Sequence, residues 1–340
     1  MDQQKLIEAI KQMELRLHRD DIHIREDITA PILDAALDED TIMRKEISGG
    51  LVFDFYYRTK IARDFLLATP DCPDHVWEPQ TTKLLKMLSR QARHVLIGGA
   101  YFGDQALIVA KEILPAGGIV HCFEPNKAQF RMLQHNAELN GLGNVRASRL
   151  GLWNNDEGTM RLIGNDSFAH AELITDADAE PDDPTLFQTI SIDSYVRKQG
   201  IPPLDLILLD IEGLEYAALQ GAASQLDLPA DEAPNIIFEV HRNYVDWSNG
   251  LEHSDIIQYL KSFGYHIFAL RDYNTNIDMT GKPVEIIPPE RCYLDGPPHG
   301  FNMIAVKDLS ILNDPQIKMC YDVSPKLLTH KKNYLHQPTE

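Results

Sequence analysis

The chain has 340 residues, 44% of them hydrophobic, and a formal net charge of −19. That charge argues against nucleic acid or an anionic membrane as the main partner, because both would be repelled; a neutral or cationic small substrate is easier to reconcile. The length allows one large α/β domain plus a smaller element. No apolar run approaches the roughly eighteen residues needed to span a bilayer. The polar, helical start MDQQKLIEAIKQ does not read as a signal peptide. Cys72, Cys122, Cys292 and Cys320 form no C-x-x-C pair and read as free thiols in a reducing cytoplasm, which sets the expected location.

In chain order, Leu6, Ile10, Met13 and Leu17 recur at helical spacing and predict one apolar stripe. That stripe packs on its own domain or forms a homodimer through the N-terminal helices. From Asp20 to Leu67 the pattern reads as helical but broken, at Pro31 and at Ser48-Gly49-Gly50. Thr69–Pro79 is rich in proline and polar residues and reads as a linker. The expected division is therefore a helical N-terminal region with its linker over 1–79, a ligand-binding α/β domain over 80–310, and a tail over 311–340. A helix over Gln80–Ser89 leads into the stretch that organises the rest.

That stretch is His94–Glu124. Val95–Ile97 is a short apolar run ending at Gly98-Gly99, a helical segment follows to about Leu114, and Ile119–Phe123 stops at Glu124. Strand, glycine turn, helix, strand and acid make the nucleotide-binding half of a doubly wound fold. The glycines allow close backbone approach, and a helix N-terminus offers N–H groups. Glu124, about twenty residues on, is placed to take both hydroxyls of a ribose. Two ligands use this geometry, a dinucleotide such as NAD and S-adenosylmethionine. Ala100 stands where a pyrophosphate fingerprint would have its middle glycine.

Downstream, Pro125-Asn126 opens a helix to about Asn140, and Val145–Leu150 is a strand. Glu157–Ile163 with Ser167–Ile174 reads as a hairpin. The acidic stretch Thr175–Pro184 reads as an exposed loop or a lid. Leu204–Leu209 is the apolar run of a strand buried on both faces, ending at Asp210-Ile211-Glu212-Gly213. Ile236–Val240 ends with Glu239 and His241, and Tyr265–Leu270 is a sixth strand. A long Pro/Gly-rich connection, Arg271–Gly300, leads to a last strand at Phe301–Val306. Five strand–helix units, a sixth strand and a final strand without room for a helix predict a seven-stranded sheet with a terminal antiparallel hairpin. That is the Rossmann-like class I methyltransferase architecture.

In such a sheet ligands sit beyond the C-terminal strand ends. Glu124, Asp210, Glu212, Glu239 and His241 all lie there. F-E-P at Phe123-Glu124-Pro125, N-x-x-x-N at Asn136 and Asn140, D-I-E-G at Asp210–Gly213 followed by E-Y-A-A-L-Q-G-A, and F-E-V at Phe238–Val240 resemble the FkbM family of methyltransferases over roughly Val95–Val306. The resemblance implies S-adenosylmethionine as cofactor and O-methylation of a hydroxyl on a sugar, glycan or natural product. The chain departs from the family's D-V-G-A-N-x-G, with Ile97 for the acid and Tyr101 for the Asn, and has Leu208 where the family has Lys.

The candidate residues follow. Gly99, Ala100, Tyr101, Gly103, Glu124, Pro125 and Asp210 are expected at the cofactor. His241, Asp210 and Glu212 are expected to act on the acceptor hydroxyl, which is weakly acidic and benefits from a base. Arg271, Tyr273 and His299 are expected at the acceptor. No metal is expected; if one binds, Asp210, Glu212 and Glu239 are its ligands. The altered first motif leaves two alternatives, a catalytically impaired cofactor-binding or scaffolding protein and an NAD-dependent oxidoreductase. The acceptor, the oligomeric state and the effects of Ile97, Tyr101 and Leu208 are open at this level.

Overall fold

The apolar runs that read as strands form the middle of one sheet. In the computed structural model, which describes residues 3–17, 22–164, 169–174, 183–273, 275–295 and 300–327, the chain begins with α1 (Gln3–Arg16), a π-turn at Arg25–Thr29 and α2 (Ala30–Ala36). A hairpin of β1 (Ile42–Ile47) and β2 (Leu51–Tyr56) precedes α3 (Lys60–Leu66) and α4 (Pro79–Ser89). Then come β3 (His94–Gly98), α5 (Ala106–Ile113), β4 (Ile119–Phe123), α6 (Lys127–Leu139), β5 (Val145–Ser148) and β6 (Gly151–Leu152). β7 (Thr159–Ile163), β8 (His170–Ile174) and β9 (Leu186–Ile190) lead to α7 (Ile192–Gln199). β10 (Leu206–Leu209), α8 (Glu215–Gln220), α9 (Ala223–Leu226), β11 (Asn235–His241), α10 (Asp255–Ser262) and β12 (His266–Leu270) complete the alternating part. β13 (Asp272–Tyr273), β14 (Val284–Ile287), β15 (Gly300–Val306), β16 (Ile317–Met319) and β17 (Lys326–Leu327) follow.

The main sheet has the order β16-β14-β12-β15-β11-β10-β3-β4-β5. β5, β4, β3, β10 and β11 run parallel, and β15 is antiparallel to both of its neighbours, β11 and β12. The sixth strand therefore shares the direction of the first five, as its position in the sequence implied. The expected seven strands are corrected to nine. β14, antiparallel to β12, and β16, parallel to β14, extend the edge beyond β12. They satisfy backbone groups that an exposed edge strand leaves open. Their runs of four and three residues are too short for periodicity to reveal.

Side-chain alternation explains why the central strands are apolar throughout. Val95, Ile97, Leu206, Leu208 and Ile237 enter one core, with α4, α5 and α6. Leu96, Ile207, Leu209, Ile236 and Phe238 enter the other, with α7 to α10. Neighbouring residues point to opposite faces, and both faces are covered.

The N-terminal region is the main departure from the helical reading. Residues 42–56 form an antiparallel hairpin whose three-residue turn is Ser48-Gly49-Gly50, with φ of +92° at Gly49 and +82° at Gly50. Both positions need a left-handed backbone, so the glycines read as a helix break are the turn itself. Phe53 and Phe55 then join Phe65 and Phe102 in the first core, so the packing continues across the expected boundary at 69–79. α1 buries Ile7 and Ile10 against Leu33, Tyr57 and Leu66 of the same chain. Among the described residues, no helix is long and apolar enough to cross a membrane.

Candidate active site

The glycine turn is fixed by what lies beneath it. Gly99 N and Ala100 N both donate to the Phe123 carbonyl at 3.0 Å, which ties the end of β3 to the end of β4. Gly99 has φ +77°, and a Cβ there would lie 1.8 Å from the Asp210 carbonyl oxygen. No other residue fits, both for backbone angle and for space. Tyr101 follows with φ +46° and donates its N–H to Glu124 Oε2 at 2.8 Å. Asn126 N donates to Glu124 Oε1 at 2.8 Å. The buried Glu124 carboxylate is thus oriented at both oxygens by backbone donors. It lies on the wall of a cleft of about 1030 Å³, with Gly99, Ala100, Tyr101 and Pro125. Gly103 does not line this cleft; its N–H closes the turn on the Ala100 carbonyl at 2.8 Å.

Asp210 and Glu212 line the other side of the cleft, and Glu239 stands next to them outside its lining. Asp210 lies two residues beyond Leu208 and Glu239 two beyond Ile237, so both continue the face that carries the first core. Carboxylate oxygens of Asp210, Glu212 and Glu239 lie within 4.8 Å of one another. Burial pushes Asp210 up to about 6. Burial and the Asp210 charge push Glu212 up to about 8 and Glu239 well above the ordinary carboxylate range. Lys326 on β17 works in the opposite direction on Asp210 and Glu239.

Glu212 owes its position to a residue three further on. Glu215 Oε1 accepts from Ile211 N at 2.8 Å, and Oε2 accepts from Gly213 N at 3.0 Å. This clasp holds Glu212 at φ +52° and Gly213 at φ +97°. A Cβ at Gly213 would lie 2.6 Å from the Tyr244 ring, so glycine lets that ring cover the turn. Asp210 does not cap α8; its first turn begins at Glu215.

His241 stands on the same face of β11 as Glu239. Its Nδ1 accepts from Asn243 N at 3.1 Å, and its ring lies 5.6 Å from that of Tyr244. Glu78, unforeseen from the sequence, joins the cluster from the N-cap of α4. Its Oε2 accepts from Asn302 Nδ2 at 2.7 Å and from Gln105 Nε2 at 3.1 Å, and Asn302 stands opposite Glu239 in the sheet register. Burial and the Asp210 charge push Glu78 up to about 8, and burial pushes Asp104 up to about 7. The D-x-E-G-x-E spacing already contained Glu215, whereas Glu78 carried no sequence signal because tertiary packing alone brings it in.

The acceptor candidates are placed elsewhere. Arg271 Nη1 donates to Glu285 Oε2 at 3.1 Å and its Nε to the Ser324 carbonyl at 3.0 Å, inside the sheet edge. Tyr273 is half-buried in β13, which pairs with β17. Neither residue lines the main cleft, whose outer wall includes Ile61 and Trp77 instead. His299 and most of the acidic stretch 175–184 lie outside the described residues. Ile97 and Leu208 are both buried on the cleft wall, and Asp104 brings a carboxylate to the region where Ile97 supplies none.

The methyltransferase FkbM domain model matches residues 98–267, half of the chain. The chain belongs to the FkbM methyltransferase family. In this FkbM protein the match runs from the end of β3 into β12, so the N-terminal wall and β14 to β17 lie outside it. Among solved structures, it is similar to the methyltransferase FkbM of Methylobacillus flagellatus, with 15% identity and a TM-score of 0.37 over 63% of this chain and 43% of that one. The chain thus spans less than half the length of that protein. An O-methyltransferase of Bacillus cereus in complex with SAH is similar at 17% identity and a TM-score of 0.37, over 69% and 84% of the two chains. The O-methyltransferase TomG of Streptomyces achromogenes, in complex with SAM, is similar at 14% identity and a TM-score of 0.36, over 70% and 84%. No curated protein matches the chain.

Proposed function

We propose that this FkbM protein is an S-adenosylmethionine-dependent O-methyltransferase acting on a hydroxyl of a small polar acceptor, a sugar or natural product. The observation that carries the reading is the Glu124 carboxylate, locked by Tyr101 N and Asn126 N on the cleft wall beside a turn that admits only glycine at position 99. A carboxylate held this way suits the two hydroxyls of a ribose. Leu150, Leu152 and Phe187 supply an apolar wall suited to a purine face. The residues present therefore fit an adenosine-type ligand, with Glu124, the Gly99–Tyr101 backbone and Pro125 to hold it.

When bound, S-adenosylmethionine supplies an electrophilic methyl group on a sulfonium. The chain's own task is to orient the acceptor and to take its proton. Asp210, raised to about 6, is ionised at neutral pH yet more basic than an ordinary carboxylate. Glu212, raised to about 8, is mostly protonated there and can donate a hydrogen bond to the acceptor. His241 is the alternative base. The Ile61–Trp77 wall limits acceptor size. Titration calorimetry with S-adenosylmethionine and with NAD tests the reading. Preference for NAD, or binding of neither, would overturn it; S-adenosylmethionine binding without methylation across a panel of sugars and polyols would favour the scaffold alternative.

The spacing of Asp210, Glu212 and Glu239 favours one second reading, a divalent cation held between them. Turnover lost on chelation and restored by magnesium would support it.

A further inference from the structure

We propose that a groove along α4, behind the cofactor cleft, binds a small dianion of the phosphate monoester type. The groove is open to solvent and spans about 620 Å³. α4 contributes Lys83 and Lys86 and its C-cap contributes Arg90, which keeps helical backbone angles; the spacings of three and four residues put all three on one helical face. Lys83 Nζ donates to the carbonyls of Met279 and Lys282, which closes the opposite wall. Lys86 and Arg90 have no ion-pair partner among the described residues.

His75 forms the buried end of the groove. It is 1% exposed, and its Nε2 has no hydrogen-bond partner among the described residues. A buried polar atom of this kind calls for a ligand or another source of hydrogen bonding. Its Nδ1 lies 2.6 Å from Asp74 Oδ1. Nδ1 faces Asp74, which leaves Nε2 as the ring atom for a ligand in the groove. Two unpaired cations, Lys86 and Arg90, oppose the −19 charge of the chain locally. Among the described residues, Asp74 is the one carboxylate on the groove wall, and it is held by His75. A phosphoryl group offers three oxygens to three separated donors, whereas a carboxylate offers two.

The groove is separate from the methyl-transfer site, although one segment walls both. Trp77 lines the cofactor cleft, while His75 and Pro79 line the groove. The proposal therefore stands whether or not the chain binds S-adenosylmethionine.

The test is titration calorimetry of the full chain, with inorganic phosphate in one arm and glycerol 3-phosphate in the other. The wild type should bind at least one of them, and Lys86→Ala with Arg90→Ala should weaken that affinity on the order of tenfold or more. Lys261→Ala, on the remote α10, should leave it unchanged. Tighter binding of the ester identifies an organic phosphate as occupant, and equal affinities identify the free anion. No binding of either ligand, no loss in the double variant, or an equal loss in Lys261→Ala overturns the proposal. His75→Asn, with circular dichroism to check folding, provides the second variant. A folded His75→Asn that binds as well as wild type also overturns it.

Discussion

Asn136 on α6 grips the backbone of Asp54 on β2 twice. Its Oδ1 accepts from Asp54 N at 2.8 Å and its Nδ2 donates to the Asp54 carbonyl at 2.8 Å. Asn140, one turn on, repeats the arrangement at Val52, at 2.8 and 2.7 Å. The N-x-x-x-N motif thus acts as a partner strand for the open edge of β2. Asn136→Ala leaves a buried N–H and C=O unpaired, so it should destabilise the fold by about 2–4 kcal/mol. Urea denaturation followed by circular dichroism measures this, and a loss below about 0.5 kcal/mol would contradict the role.

Glu124→Gln tests the cofactor site with little change in shape. Its amide nitrogen must face either Tyr101 N–H or Asn126 N–H, donor against donor. Affinity for S-adenosylmethionine should fall by roughly 2–4 kcal/mol in calorimetry, the scale of two charge-assisted hydrogen bonds. Wild-type affinity in this variant would remove the ribose assignment.

Asp210→Asn separates the two candidate bases. Loss of general-base catalysis should lower turnover on the order of 10²–10⁴-fold while the folded state persists. If turnover stays near wild type and His241→Asn carries the loss, the proton goes to His241 instead.

The acid cluster should make stability fall as pH rises. Glu78 and Glu212 are raised to about 8, and Asp104 and Glu215 to about 7. Their folded values lie above the unfolded ones, so the native state binds more protons than the unfolded state across that window. Stability therefore decreases as pH rises toward 8. His121, lowered to about 4 mainly by burial, acts with the opposite sign, but only between about 4 and its unfolded value near 6.5. The melting temperature should drop from pH 6.5 to 8. Glu78→Gln should flatten that drop, with most of its gain near pH 8. A melting temperature that rises over this range would show that the cluster is ionised without cost.

α1 should contribute through packing within the chain. Ile10 is 2% exposed against Leu33 and Tyr57. Ile10→Ala should cost about 2–4 kcal/mol with no change of molar mass in light scattering. A mass that halves would instead assign the stripe to a homodimer.

The sequence alone determined the parts governed by local rules. Apolar runs ending in Gly98, Glu124, Asp210 and Glu239 fixed the parallel strands, because a strand buried on both faces must be apolar throughout. Their order placed the acids on one edge and the last strand antiparallel. The hairpin at 42–56 was hidden because Gly49-Gly50 reads equally as a helix break. β14 and β16 were hidden because three or four residues carry no period. The tertiary structure alone decided which acids meet and how strongly they perturb one another. Glu78 enters from residues outside the family match, Glu215 at the start of α8 clasps the turn under Glu212, and Lys326 arrives from the far end of the chain. Burial and charge–charge distance set proton affinity, and both depend on contacts between segments up to hundreds of residues apart, which no local pattern encodes.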